Sequence, residues 1–350
     1  MLDQAERQPT RQRNNGMKAT KLYGVAALTL AAALALSACS SDSTSTPAAS
    51  DATGGAATTD SGEGMSLGIV EFDATSPIDN LFAGNTKKAF EELGWEVFTQ
   101  DPKGDLGQAN SICTQWVTKK VDVLVVTTYA MDQMAQCMSQ ANAADIPVFF
   151  LGSPLMDGMA GSVSYVIPAP PNDLFIEYLQ DKEVTSFLAL DFTPGTPCRL
   201  RAEYREQAIK DEGITAKEYS FQFHIPGQVV ESQNGTAAWL QANPAGAGEY
   251  AIWSCYADST QGALAAIAQA GRTDALPIFT WDFSLSILPA IQSGQVATVY
   301  YAPSDVANTV KDNILEYLKT GTPAEGTPST VLVTQDNVEQ FLIDNPEVQE

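Results

Sequence analysis

The chain has 350 residues and a formal net charge of −23, with 19 Lys+Arg against 42 Asp+Glu. That length can form one large domain or two lobes of ordinary size, and the acidic balance argues against binding nucleic acid or anionic lipid, both of which call for a basic face. A lone histidine, His224, cannot anchor a zinc site, and it leaves no Ser/His/Asp or Cys/His arrangement unless it is itself the base. With no G-x-S-x-G elbow between a strand and a helix and no GxxxxGK[ST] loop, neither hydrolase chemistry nor ATP hydrolysis is expected, and no cofactor or metal.

The N-terminal segment carries Arg7, Arg11, Arg13, Lys18 and Lys21, followed by an apolar run over 22–36. Basic head, apolar middle and small-residue end read as a secretory signal; about 15 apolar residues fall short of the roughly 20 a permanent span needs. Leu36-Ser37-Ala38-Cys39 resembles the lipobox of bacterial lipoproteins, in which the signal is cut before the cysteine and the cysteine carries lipid. Met17-Lys18 would make a more ordinary start, with 1–16 an upstream mis-start. Residues 1–38 are thus expected to be a signal peptide and 39–64 a lipidated tether. The tether is rich in Ser, Thr, Ala, Gly and Asp and has too little apolar surface to offset the entropy of ordering. The expected location is the outer face of the cytoplasmic membrane, with the lipid on Cys39 as the sole membrane contact.

From residue 65 the chain alternates short apolar runs with amphipathic segments. Strands are predicted at 66–70, 95–99, 121–127 and 146–152, with helices at 81–93, 106–119 and 131–143. After Tyr165 the alternation restarts: helix 172–182, strand 186–191, helix 200–212, strand 217–223, helix 235–242, strand 249–255, helix 261–270, strand 276–282, helix 285–293 and strand 295–301. A helix over 305–318 and a strand near 331–335 close the chain. A doubled strand–helix alternation of this length predicts an α/β protein of two doubly wound parallel-sheet lobes, with ligand at the carboxyl ends of the strands. Four cysteines remain after Cys39, and four allow three pairings. Two fall in each half, which favours Cys113–Cys137 and Cys198–Cys255.

The ordered set of segments resembles the ribose-type solute-binding proteins of ABC transporters, the type I periplasmic binding proteins, over about 66–345. The opening GIVEFDATSPIDNLFAGNTKKAFEELGWEV, the central VDVLVVTTYAMDQMAQCMSQANAADIPVFFLG, and WSCYADSTQGALAAIAQAGR, LPIFTWDFS and TVLVTQDNVEQF carry it. The same family includes lac-repressor-type regulators with an N-terminal helix-turn-helix, where this chain has a signal segment. The resemblance implies a three-strand hinge, with a first lobe of 65–167 plus 303–329 and a second of 168–302 plus 330–350. It implies a binding protein, not an enzyme, that captures a sugar or sugar-like polyol between the lobes. An ABC permease with a separate ATPase subunit would receive the ligand from a monomeric receptor. An alternative output is sensing, in which the liganded protein docks a sensor kinase or chemoreceptor.

By the same resemblance, ligand contacts are expected from Phe72, Asp73 and Ser76 after the first strand, Thr128 and Tyr129 after the third, and Ser153 after the fourth. Arg201 matches the family's hydroxyl-binding arginine, whose planar fork holds two oxygens at once, and Asp282, with Trp281 before it, matches its ligand aspartate. Tyr256 and Asp258 stand where the family often has an Asn-Asp pair, and Tyr301 where it often has a hinge glutamine. Pentose and hexose binders usually carry an Asp-Arg pair after the fourth strand; here the place reads Leu151-Gly152-Ser153-Pro154. Fewer charged groups and more aromatic faces should therefore meet the ligand. Cys198 precedes the Arg201 helix and Cys255 precedes Tyr256, so a bridge there would stiffen the ligand loops.

Overall fold

The computed structural model describes residues 62–166, 169–272, 274 and 276–349. The signal segment, Cys39 and the tether as far as residue 61 lie outside the described residues. In chain order the elements begin with β1 (Ser66–Val70), α1 (Pro77–Glu91), β2 (Glu96–Gln100), α2 (Leu106–Lys119), β3 (Val123–Thr127), α3 (Ala135–Ala143), β4 (Val148–Leu151) and β5 (Gly161–Val163). They continue with α4 (Ala169–Asp181), β6 (Ser186–Asp191), α5 (Thr196–Asp211), β7 (Lys217–Gln222), α6 (Gln228–Ala242), β8 (Tyr250–Ser254), α7 (Ala257–Gln269), β9 (Ile278–Phe279), α8 (Leu288–Gln292) and β10 (Val296–Tyr300). Last come α9 (Pro303–Thr320), β11 (Ala324–Gly326), β12 (Val331–Val333) and α10 (Val338–Asp344).

These form two six-stranded sheets, ordered β11-β5-β4-β3-β1-β2 and β12-β10-β9-β8-β6-β7. The central strands β3, β6 and β8 are buried at every residue, as strands covered by helices on both faces must be. The edge strands β2 and β7 mix exposed and half-buried positions. The chain passes from one sheet to the other between β5 and α4, between β10 and α9, and between β11 and β12. The fold is thus two doubly wound lobes joined by three crossings. One pairing departs from the all-parallel expectation: β12 runs antiparallel to β10, with Thr298 opposite Val333. A short edge strand that arrives from the other lobe without a helical crossover of its own can pair in this sense.

Three helices with proline in the first turn start earlier than periodicity predicts, whereas α2 starts where predicted and α3 four residues later. α1 begins at Pro77 rather than 81, α5 at Thr196 rather than 200, and α9 at Pro303 rather than 305. Each has proline at one of its first two positions, where the missing N–H would have been unpaired in any case and the fixed φ suits a helix. β5, β11 and α10 were not predicted; two are three residues long and the third is seven, too short for a periodicity to show. Each lobe carries one disulfide. Cys113–Cys137 joins α2 to α3 with Cα atoms 5.5 Å apart, and Cys198–Cys255 joins the first turn of α5 to the loop after β8, at 5.1 Å. None of the described helices is long and apolar enough to cross a membrane.

Candidate binding site

Residues that follow the strands of both sheets meet across one cleft. Phe72 follows β1 and Thr128 follows β3 in the first lobe; Phe192 follows β6, Tyr256 follows β8 and Asp282 follows β9 in the second. All five line a central cavity of about 40 Å³, together with Asp79, Phe82, Tyr165, Arg201 and others. A second cavity of about 620 Å³ shares Ile78, Tyr256 and Asp282 with the first and extends past Asp258 and Tyr301 to Lys88 and Glu347. Its volume falls within the usual range for a small-molecule site. The lobes touch directly: Thr196 N–H donates to the Thr128 carbonyl at 2.9 Å, Gln133 Nε2 donates to the Pro194 carbonyl at 3.0 Å, and the Phe72 and Phe192 rings meet edge to face at 5.8 Å. A third hollow, of about 450 Å³, lies between α4 and α5, away from the strand ends.

The second lobe supplies a fixed polar cluster. Arg201 is buried and directs its guanidinium at four acceptors. Nη1 donates to the Cys255 carbonyl at 2.8 Å and to Asp282 Oδ2 at 3.3 Å, while Nη2 reaches Asp282 Oδ1 at 3.2 Å and the Tyr301 hydroxyl at 2.6 Å. Tyr301 in turn donates to Asp282. Trp281 packs beneath the guanidinium, 5.2 Å from its carbon, and Trp253 packs against Trp281. The Cys198–Cys255 bridge binds the two segments that carry this arginine and its carbonyl acceptor. Burial raises the Asp282 carboxyl above its ordinary value, with Arg201 pulling the other way. One turn on, Arg205 is equally buried, held by Asp191 at 2.9 Å and Glu218 at 2.8 Å over the Trp253 ring; it is a structural anchor that sequence reasoning missed.

The first lobe supplies carboxylates and rings. Asp79, in the first turn of α1, accepts from Thr128 Oγ1 at 2.9 Å. Burial, with Asp282 and Asp73 nearby, pushes its carboxyl up to about 7. Asp73 is fully buried; Oδ1 accepts from Thr75 N–H and Oγ1 at 2.8 and 2.7 Å, and Oδ2 has no partner. Thr128 and Asp282 both have φ of +66°, an uncommon conformation for any residue but glycine and for β-branched threonine a strained one. One strand end of each lobe, after β3 in the first and after β9 in the second, thus places positive-φ backbone at the same cleft. After β4, Gly152 has φ +88°, and a Cβ there would stand 2.7 Å from the Tyr165 hydroxyl.

Of the predicted contacts, Phe72, Thr128, Arg201, Tyr256 and Asp282 line the central cavity, and Asp258 and Tyr301 line the larger one. Asp73, Ser76, Tyr129, Ser153 and Trp281 are buried and line neither. Asp79, Phe82, Tyr165 and Phe192 were missed. His224 is exposed and hydrogen-bonded to Glu231 at 3.0 Å, outside both cavities. The pattern G-x-S-x-G does occur at 64–68, but at the head of β1 rather than at a strand-to-helix turn, with Ser66 Oγ donating to Asp122 at 2.8 Å.

A profile of the family described as "Periplasmic binding protein domain" matches residues 73–323, and the chain belongs to that family, whose members bind solutes for transport outside the cytoplasm and are not enzymes. Among solved structures, the chain is similar to an ABC sugar transporter subunit from Rhodobacter sphaeroides, at 19% identity over 79% of this chain and 99% of that one, with a TM-score of 0.70. It is also similar to an ABC transporter solute-binding protein from Agrobacterium vitis with bound allitol (21%, 81% and 99%, 0.72). A third is a 5-methylthioribose transporter solute-binding protein from Thermotoga lettingae (17%, 81% and 88%, 0.67). No curated protein matches the chain.

Proposed function

We propose that the chain is an extracytoplasmic lipoprotein, anchored through Cys39, that captures a sugar or sugar-like polyol between its lobes and delivers it to an ABC permease with a separate ATPase subunit. The observation that carries this reading is the Arg201–Asp282–Tyr301 cluster. A guanidinium on α5 and a carboxylate after β9, both buried, offer donors and acceptors suited to adjacent hydroxyls, while Phe72, Phe82 and Phe192 wall the same cleft. The bound polyols of similar structures, allitol among them, support that ligand class. The lobes are taken as 65–167 with 303–329 and 168–302 with 330–350, working as a monomer. Lobe closure over ligand is what the permease would read, since a ligand shifts the open–closed population by its differential affinity.

A thermal-shift screen of the soluble part against sugars, polyols, nucleosides and amino acids tests the reading. A micromolar ligand at millimolar concentration stabilises by about 4 kcal/mol, which is several degrees at roughly 2–4 °C per kcal/mol. One polyol or sugar class should shift the melt, and Asp282→Ala should abolish the shift. A shift from amino acids alone would replace the ligand class.

A further inference from the structure

The cleft holds more negative charge than its one guanidinium balances. Among the described residues Arg201 is the only basic side chain lining the central cavity, and both its terminal nitrogens already bond Asp282, Tyr301 and the Cys255 carbonyl; Lys88, on the adjoining cavity, is matched there by Glu347. Asp79 stands on the opposite wall with only hydroxyls to stabilise its carboxylate, Thr128 at 2.9 Å and Ser76 beside it. Asp258 lines the adjoining cavity, where one oxygen accepts from Gln228 at 3.1 Å. Asp73 lies buried behind them with one oxygen unpartnered. A separate observation points the same way. Tyr256 is only 5% exposed and lines both cavities, and its hydroxyl has no partner. Burial raises the Asp79 and Asp258 carboxyls, which is how uncompensated charge in a low-dielectric cleft is relieved by protons when no cation is at hand. Phe72, Phe192 and Tyr256 add ring faces that attract a cation electrostatically.

We infer that the ligand of this cleft is positively charged: a polyol or sugar bearing an amine or ammonium, its nitrogen held between Asp79 and the Tyr256 hydroxyl and its hydroxyls on Arg201 and Asp282. This deepens the solute-binding reading and rests on it. A neutral sugar would leave Asp79 and Asp258 unbalanced, whereas a cation makes charge-assisted hydrogen bonds with them.

The test is thermal shift at neutral pH and low salt with matched probes: N-methyl-D-glucamine against D-glucitol, and D-glucosamine against D-glucose and N-acetyl-D-glucosamine, each over a concentration series. At least one amine should bind about tenfold or more tightly than its neutral partners, a difference of about 1.4 kcal/mol. Asp79→Asn should erase that preference while its own ligand-free melt stays cooperative; Asp258→Asn serves if the first variant does not fold. Neutral members that shift the melt as much as or more than the amines overturn the charge inference and leave the receptor reading standing. A panel in which neither amines nor neutral sugars shift the melt sinks both. An amine preference that survives both variants moves the cation away from these carboxylates and overturns the assignment.

Discussion

The two walls of the cleft are built on the same plan and finished differently. α1 and α5 both have proline within their first two positions, and both turn a charged side chain from an early turn toward the cleft: Asp79 in the first lobe, Arg201 in the second. Arg201 is held through both terminal nitrogens by a carboxylate, a tyrosine and a carbonyl and is backed by a disulfide, with Nε left without a partner. Asp79 has only hydroxyls and a neighbourhood of like charge. The second lobe is thus preorganised before ligand arrives, and the first lobe keeps its bonding capacity open. A receptor that closes over its ligand benefits from this division: the rigid wall fixes orientation, and the unsatisfied wall contributes its binding energy on closure.

The comparison breaks most sharply at Arg201. Arg201→Ala would leave Asp282 buried without its counter-charge, and such a loss costs roughly 3–5 kcal/mol. Chemical denaturation of the ligand-free chain should show a drop of that size, whereas no first-lobe cleft substitution should approach it. The disulfides come next. Cys198–Cys255 closes a loop of sequence separation 57 and Cys113–Cys137 one of 24. On the chain-entropy account, replacing each pair by serines destabilises by about 4 and about 3.5 kcal/mol respectively. Only the second-lobe replacement should also weaken ligand binding, because only that bridge ties together the loops around Arg201; equal loss of affinity from both would refute the asymmetry.

The sequence disclosed the second wall better than the first, and the reason is physical. Arg201, Asp282 and Tyr301 sit in segments that resemble a known family, and the strands before Asp282 and Tyr301 are apolar runs rich in β-branched or aromatic residues. Asp79 sits two residues after Pro77. The apolar spacing alone puts the helix start at 81 and leaves Asp79 before it, although proline at the first helical position is a start signal. Pro197, likewise in the first turn, marks a start of α5 four residues before the one that spacing gives. Tyr165 was missed because β5, three residues long, gives no periodic signal, and Phe192 because it follows β6 before the α5 start. Arg205 and Arg201 are four residues apart on one helix face, yet nothing in the sequence says that both are buried, since their partners Asp191, Glu218 and Asp282 come from three different strands or strand ends.

Asp79 gives a smaller effect, with a sign set by pH. Its carboxyl holds a proton up to about 7 in the folded chain and loses it near the ordinary 3.8 when unfolded. Between those values the folded state binds more protons, so this group lowers stability as pH rises from about 4 to about 7, and the deficit is complete above 7. Asp79→Asn retains an acceptor for Thr128 and removes the deficit. The variant should match the parent near pH 4 and exceed it near pH 8 by on the order of 2 kcal/mol, after allowing for the solvent contact of the group. Melting curves of both chains across that range decide it. Equal stability at every pH would mean that Asp79 ionises normally and that the first wall is not strained by charge.

The smallest effect is expected at the outward faces of the same two helices, and it tests whether the asymmetry belongs to the cleft alone. Lys87–Glu91 on α1 and Arg199–Glu203 on α5 are both ion pairs of (i, i+4) spacing, at 3.8 and 3.7 Å. Their side chains are largely solvated, so each pair loses to side-chain entropy and to screening most of what it gains by Coulomb attraction. Lys87→Ala and Arg199→Ala should each destabilise by no more than about 0.5 kcal/mol, by nearly the same amount in the two lobes, and by less in high salt. A Lys87 or Arg199 effect above about 1 kcal/mol would mean that the helices differ along their length. Two small, equal effects would confine the difference to the cleft ends, where one helix presents an arginine paired with a carboxylate and the other an acid with no counter-charge.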